Sequence, residues 1–131
     1  MNNKPKYQKW IPVESIPTRM YCEAVHDDYE GFRILLKGED PKSPVLRVSF
    51  ESVLSYRNID EGNLLRTLDL IRDREIHPLY TVQNSSWLKW FHEESYNIHV
   101  NSDIVHYSIM THDDCIDILS EFEPTVEWLN K

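Results

Sequence analysis

Two cysteines in 131 residues leave little room for cysteine chemistry. Cys22 and Cys115 form no CxxC pair, which removes the usual signature of a redox or zinc site. In a reducing compartment two such residues are most often small buried hydrophobes. No apolar run approaches the roughly 20 residues that span a bilayer, so no membrane association is expected. The opening MNNKPKYQKW has basic residues but lacks the apolar block of a secretory signal, which points to a soluble, cytoplasmic protein. Basic charge is also short: 14 Lys and Arg against 22 Asp and Glu leave a formal net charge of −8. That balance argues against nucleic acid as a partner, because neutralising phosphates requires a basic face. It favours a basic protein partner if the charge is functional, and serves only solubility if it is not. GxGxxG, P-loop and nucleophile-elbow patterns are missing, so neither a cofactor nor a hydrolase fold is signalled.

What is present reads as one globular domain. Hydrophobic residues make up 40% of the chain, with four Trp and seven Tyr, enough for a core that buries roughly two-thirds of the unfolded surface. The clearest grammar lies in DIVHYSIMTHDDCIDILS, residues 103–120, which reads as two strands around a tight turn at Thr111–Asp114. Pairing Ile109 with Ile116 and Tyr107 with Ile118 puts these four and Val105 on one buried face. The opposite face then carries His106, Ser108, Met110, Cys115, Asp117 and Leu119, with Ser108 across from Asp117 and His106 diagonal to it. A lone hairpin is marginal in water, so further strands and a covering helix are required.

Pro5, Pro12 and Pro17 make residues 1–19 an extended arm, pinned to the domain of residues 20–131 by Trp10 and Ile11. Met20–His26 and Phe32–Lys37 form a first hairpin around an Asp- and Gly-containing turn, and Val45–Phe50 alternates as a third strand. Residues 51–62 read as strand then loop, with Asn58, Asp60 and Gly62 signalling a turn. Residues 63–74 place Leu64, Leu65, Leu68 and Ile71 at helical spacing, with Arg66, Asp69, Arg72 and Asp73 opposite; a strand through Leu64–Leu70 is the alternative. Pro78 makes residues 76–82 a connection. Ser85 or Ser86 caps a helix from Trp87 to about Glu94, with Trp87, Leu88 and Phe91 on its apolar face. The tail from Glu121 carries Phe122, Val126 and Trp128. The expected fold is α+β, an antiparallel sheet of about five or six strands with one or two short helices.

The six histidines show no i, i+4 pair on a helix, so no metal site is expected. His106, Ser108 and Asp117 share a face and superficially supply base, nucleophile and carboxylate, but cross-strand Ser–Asp pairing is ordinary sheet chemistry and no oxyanion donors stand nearby. No catalytic residue is assigned, and a small enzyme or metal-binding protein built on the His106/Asp117 face is the alternative function. In YRNIDEG, Arg57 is expected to pair with Asp60 or Glu61. The order of LRVSF, YRNIDEG, WLKWFHEES and VHYSIMTHDDCIDILS across residues 21–120 resembles small acidic bacterial proteins, some of them similar to immunity proteins encoded beside polymorphic toxins. That resemblance implies a non-enzymatic protein-binding domain whose acidic face blocks a basic toxin domain, and it carries no residue roles. The residues expected to meet the partner are Tyr56, Trp90 and Tyr96 as anchors, within a rim of Asp60, Glu61, Glu93, Glu94, Asp113 and Asp114. The sequence leaves the oligomeric state open.

Overall fold

The computed structural model describes residues 4–71 and 76–129; Arg72 and Asp73, expected on the polar side of a helix, lie outside that set, as do residues 1–3 and 130–131. The fold is α+β, and its strands divide between two antiparallel sheets. In chain order they are β1 (Lys6–Lys9), β2 (Tyr21–Asp28), β3 (Gly31–Lys37), β4 (Val45–Phe50), β5 (Ser55–Asp60), β6 (Leu79–Gln83), β7 (Val105–Met110), β8 (Asp114–Ser120) and β9 (Thr125–Leu129). Among the described residues two α-helices interrupt them: α1 (Leu65–Ile71) precedes β6 and α2 (Ser86–Glu94) follows it. The alternative of a strand at Leu64–Leu70 is thereby settled in favour of helix. No helix among the described residues is long and apolar enough to cross a membrane.

The β7–β8 hairpin takes the register its alternation dictates. Ile109 faces Ile116, Tyr107 faces Ile118 and Ser108 faces Asp117. The turn closes through Thr111, whose amide donates to the Asp114 carbonyl at 2.8 Å and whose Oγ1 accepts the Asp114 amide at 3.0 Å. Around this hairpin the five-stranded sheet runs β1-β6-β7-β8-β5, and the second sheet runs β2-β3-β4-β9. Inward-facing Phe32, Ile34, Leu36, Leu46, Val48 and Phe50 of the second sheet meet Leu79, Tyr107, Ile109, Ile116 and Ile118 of the first. Each such side chain contributes about 1.5–3 kcal/mol when fully buried. Val105, expected on this face, lies at the strand's start and remains exposed.

Several elements differ from the sequence expectation for identifiable reasons. Residues 76–82 are not merely a connection: Pro78 stands just before β6, where its missing N–H is not needed, and its carbonyl accepts the Met110 amide at 2.7 Å. Residues 51–54 carry the chain from one sheet to the other, so the strand expected there begins later and includes Asn58 and Asp60. The tail forms β9, where Glu127 faces Arg47 across the ladder and its neighbours Val126 and Trp128 pack on the core. Within the N-terminal arm Lys6–Lys9 pairs with β6, and Trp10 rests its ring 5.1 Å from that of Tyr107, whereas Ile11 is exposed.

The decisive feature for function is that the second face of the five-stranded sheet is covered too. Leu70 and Ile71 of α1, with Met110, pack on Tyr7, Tyr80 and Val82. Trp87 of α2 lies over His106. His106, Ser108, Cys115 and Asp117 are therefore buried beneath helices.

Candidate functional site

The site begins with the cap of α2. Ser85 is extended at φ −65° and ψ 118°, and its Oγ accepts the Leu88 amide at 3.0 Å, satisfying one of the donors a helix start leaves unpaired. Because β6 pairs with β7, matching Val82 with His106, this cap arrives beside the His106 ring. Ser85 Oγ stands 2.6 Å from His106 Nδ1, and His106 Nε2 stands 2.8 Å from Asp117 Oδ1. The second carboxylate oxygen accepts Arg57 Nε at 3.0 Å. Arg57 in turn lies 4.5 Å from the centre of the Trp87 ring, a cation–π contact.

An ionised Asp117 can only accept, so the imidazole carries an N–H on Nε2, and in the neutral ring Nδ1 accepts the Ser85 hydroxyl. Burial alone would raise the Asp117 carboxyl, but the hydrogen bonds it accepts from His106 and Arg57 and the Arg57 charge hold it below its ordinary value. The neighbouring Cys115 thiol is pushed up to about 12, first by burial and then by the Asp117 charge. We therefore expect Cys115 to resist iodoacetamide at pH 8 in the folded protein and to react once unfolded, as read by intact mass. Rapid alkylation of native Cys115 would contradict this placement.

A cavity of about 880 Å³ opens on the arrangement, lined by Lys4, Arg57, Arg66, Trp87, Ser85 and His106 among others. Sequence reasoning placed His106 diagonal to Asp117, and the two are directly bonded. It paired the wrong hydroxyl with them: Ser108 Oγ lies 3.5 Å from Cys115 Sγ, and the serine on His106 is Ser85. Only the recognition of β6 as a strand beside β7 could have brought Ser85 there. Arg57, expected to pair with Asp60 or Glu61, instead binds Asp117; Asp60 accepts the Gly62 amide at 2.8 Å.

The residues expected to meet a partner form separate groups. Asp60, Glu61, Asp113 and Asp114 gather at one end of the five-stranded sheet, where Asp60 faces Asp114 and the Glu61 amide donates to the Asp113 carbonyl at 3.0 Å. Trp90, Glu93 and Glu94 stand on α2, with Tyr96 just beyond it, and α2 starts at the other end of β7 from the Thr111–Asp114 turn. Tyr56 is apart from both, its ring 4.6 Å from Phe32 at the open edge of the sandwich. Among the described residues no three His, Cys, Asp or Glu side chains converge to hold a metal ion.

Comparison with protein-family models, with curated proteins and with solved structures yields no match.

Proposed function

We propose that the chain is a protein-binding domain of the immunity type, which docks a basic protein through α2 and the segment that follows it. The observation that carries this reading is the exposure of large apolar side chains in one stretch: Trp90 at 48%, Tyr96 at 91%, Ile98 at 75% and Val100 at 59%. Apolar groups concentrated at a surface in this way favour burial against a partner. Glu93, Glu94 and Asp103 flank them, and the whole chain carries a net charge of −8, so the complementary surface is one rich in Lys and Arg. Tyr96 and Asn97 adopt left-handed backbone at φ 51° and 59°, and the Asn97 amide donates to the His92 carbonyl at 2.8 Å. That hydrogen-bonded stop ends the helix sharply and leaves the Tyr96 ring in solvent, where a partner can bury it.

In this reading the aromatic side chains supply affinity and the carboxylates speed encounter. The partner residues nearest this surface are Trp90, Glu93, Glu94 and Tyr96; Asp60, Glu61, Asp113 and Asp114 add long-range attraction from the far end of the sheet. Trp90→Ala should raise koff about tenfold or more, the loss expected of a central aromatic anchor. Glu93→Gln with Glu94→Gln should lower kon and flatten its salt dependence while leaving koff nearly unchanged. Surface plasmon resonance against the bound protein separates the two effects. Unaltered kinetics in both variants, with circular dichroism unchanged, would exclude this face.

A further inference from the structure

We infer that Ser85 is the nucleophile of an acyl-transfer centre, with His106 as its base and Asp117 as the group that holds the imidazole in place. The inference goes beyond the docking surface and rests on different residues. Three side chains from three elements, the α2 cap, β7 and β8, form one chain of hydrogen bonds of 2.6 Å and 2.8 Å in the order hydroxyl, imidazole, carboxylate. With the carboxylate fixing the Nε2 proton, the free lone pair of Nδ1 is aimed at the serine proton. Which imidazole nitrogen faces the serine is chemically immaterial, provided the other is held by the carboxylate.

A helix cap alone needs none of this. Ser85 Oγ caps α2 by accepting from Leu88, and any acceptor at that position would do the same. The capping bond uses one lone pair of the oxygen and leaves a second for attack. Ser85 and His106 line the 880 Å³ cavity at 8% and 2% exposure, so an ester would have to meet the hydroxyl from within that cavity. The amides of Ser86 and Trp87, in the first turn of α2, have no acceptor inside the helix and follow the nucleophile directly in sequence, which makes them the donors available to an oxyanion. Arg57, already bound to Asp117, borders the same cavity with Arg66, Lys4 and one carboxylate, Asp69, a basic excess in an otherwise acidic protein that favours an ester bearing an anionic group.

The reaction balances with water as the only co-reactant. Ser85 Oγ bonds to the carbonyl carbon as its proton passes to His106 Nδ1, and the carbonyl π pair moves to oxygen. When the C=O re-forms, the bond to the alcohol oxygen breaks and that oxygen takes the proton from Nδ1. Water then adds to acyl-Ser85, giving its proton to Nδ1; expulsion of Ser85 Oγ returns that proton to the serine and releases the acid. Nothing is oxidised or reduced.

The test uses the intact folded protein and a fluorophosphonate probe, with peptide mapping of the adduct, and then 4-nitrophenyl succinate as an anionic ester. We expect one adduct per chain on Ser85, none on protein unfolded in urea, and ester hydrolysis that falls by roughly 10⁴-fold in Asp117→Asn, whose altered hydrogen bond selects the wrong tautomer. Thermal melting of Asp117→Asn establishes that it is folded at the assay temperature. No adduct, an adduct on another residue, or equal labelling of folded and unfolded protein would overturn the assignment even if that variant failed to fold. Equal hydrolysis by the wild type and a folded Asp117→Asn would overturn it as well. Neither readout needs a protein partner, so failure here leaves the docking surface untouched.

Discussion

His106→Ala will lower the free energy of unfolding by about 3–5 kcal/mol, the usual cost of removing a hydrogen-bond partner from a buried carboxylate. The ring and the Asp117 side chain are each only 2% exposed, so the bond is made away from bulk solvent and its loss is costly. Asp117 would be left with Arg57 and the weak Cys115 thiol contact at 3.7 Å, and Arg57, at 36% side-chain exposure, is screened by solvent and compensates weakly. Ser85 would also lose the acceptor for its hydroxyl. Urea denaturation of the wild type, His106→Ala, Asp117→Ala and the double variant gives the coupling directly. The double variant should cost less than the sum of the singles by about 1–3 kcal/mol, and additivity would refute the buried bond. The pH dependence follows from the depressed carboxyl. A group whose folded value lies below its unfolded value of about 3.9 stabilises the protein above that pH and ceases to do so as pH falls through the folded value. Wild-type stability should therefore drop more steeply below about pH 4 than that of Asp117→Asn. Parallel curves would contradict the ion pair.

Ile116→Ala and Ile118→Ala should each cost about 2–5 kcal/mol, because both side chains are fully buried between the two sheets and their neighbours on all sides are fixed by strand pairing. Chemical denaturation measures both. Losses below about 0.5 kcal/mol in both variants would mean that this face of the hairpin is not the core.

Ile116 and Ile118 were legible in the sequence because strict alternation in a hairpin with a short turn leaves one choice of face. The same logic named His106, Ser108 and Asp117 as one surface. It could not reveal that this surface is buried, because the covering elements announce themselves by packing rather than by pattern. Trp87 reads as a residue of an apolar helix face, and nothing local says that its ring will lie on His106 and under Arg57. Ser85 was legible as a cap for the same reason that it was missed as a partner of His106: capping is decided within a few residues, whereas the contact with His106 depends on β6 pairing with β7. β6 itself was obscured by Pro78, whose effect stops at the residue before the strand. The long-range choice made by Arg57 was equally hidden, since Asp60 and Glu61 are nearer along the chain than Asp117. For the docking face, Trp90 and Tyr96 were legible as candidate anchors, but Ile98 and Val100 stand out only once their exposure is known.

The central claim is that the face built on α2 binds a basic protein, and titration calorimetry against the purified products of the genes adjoining the one for this chain tests it most directly. The account predicts that one of them, with a basic surface, binds with a dissociation constant below about 1 μM, that Trp90→Ala with Tyr96→Ala weakens it by about 2 kcal/mol or more, and that added salt weakens it further. Failure of every such product to bind, or binding that survives the double substitution in a folded variant, would contradict it.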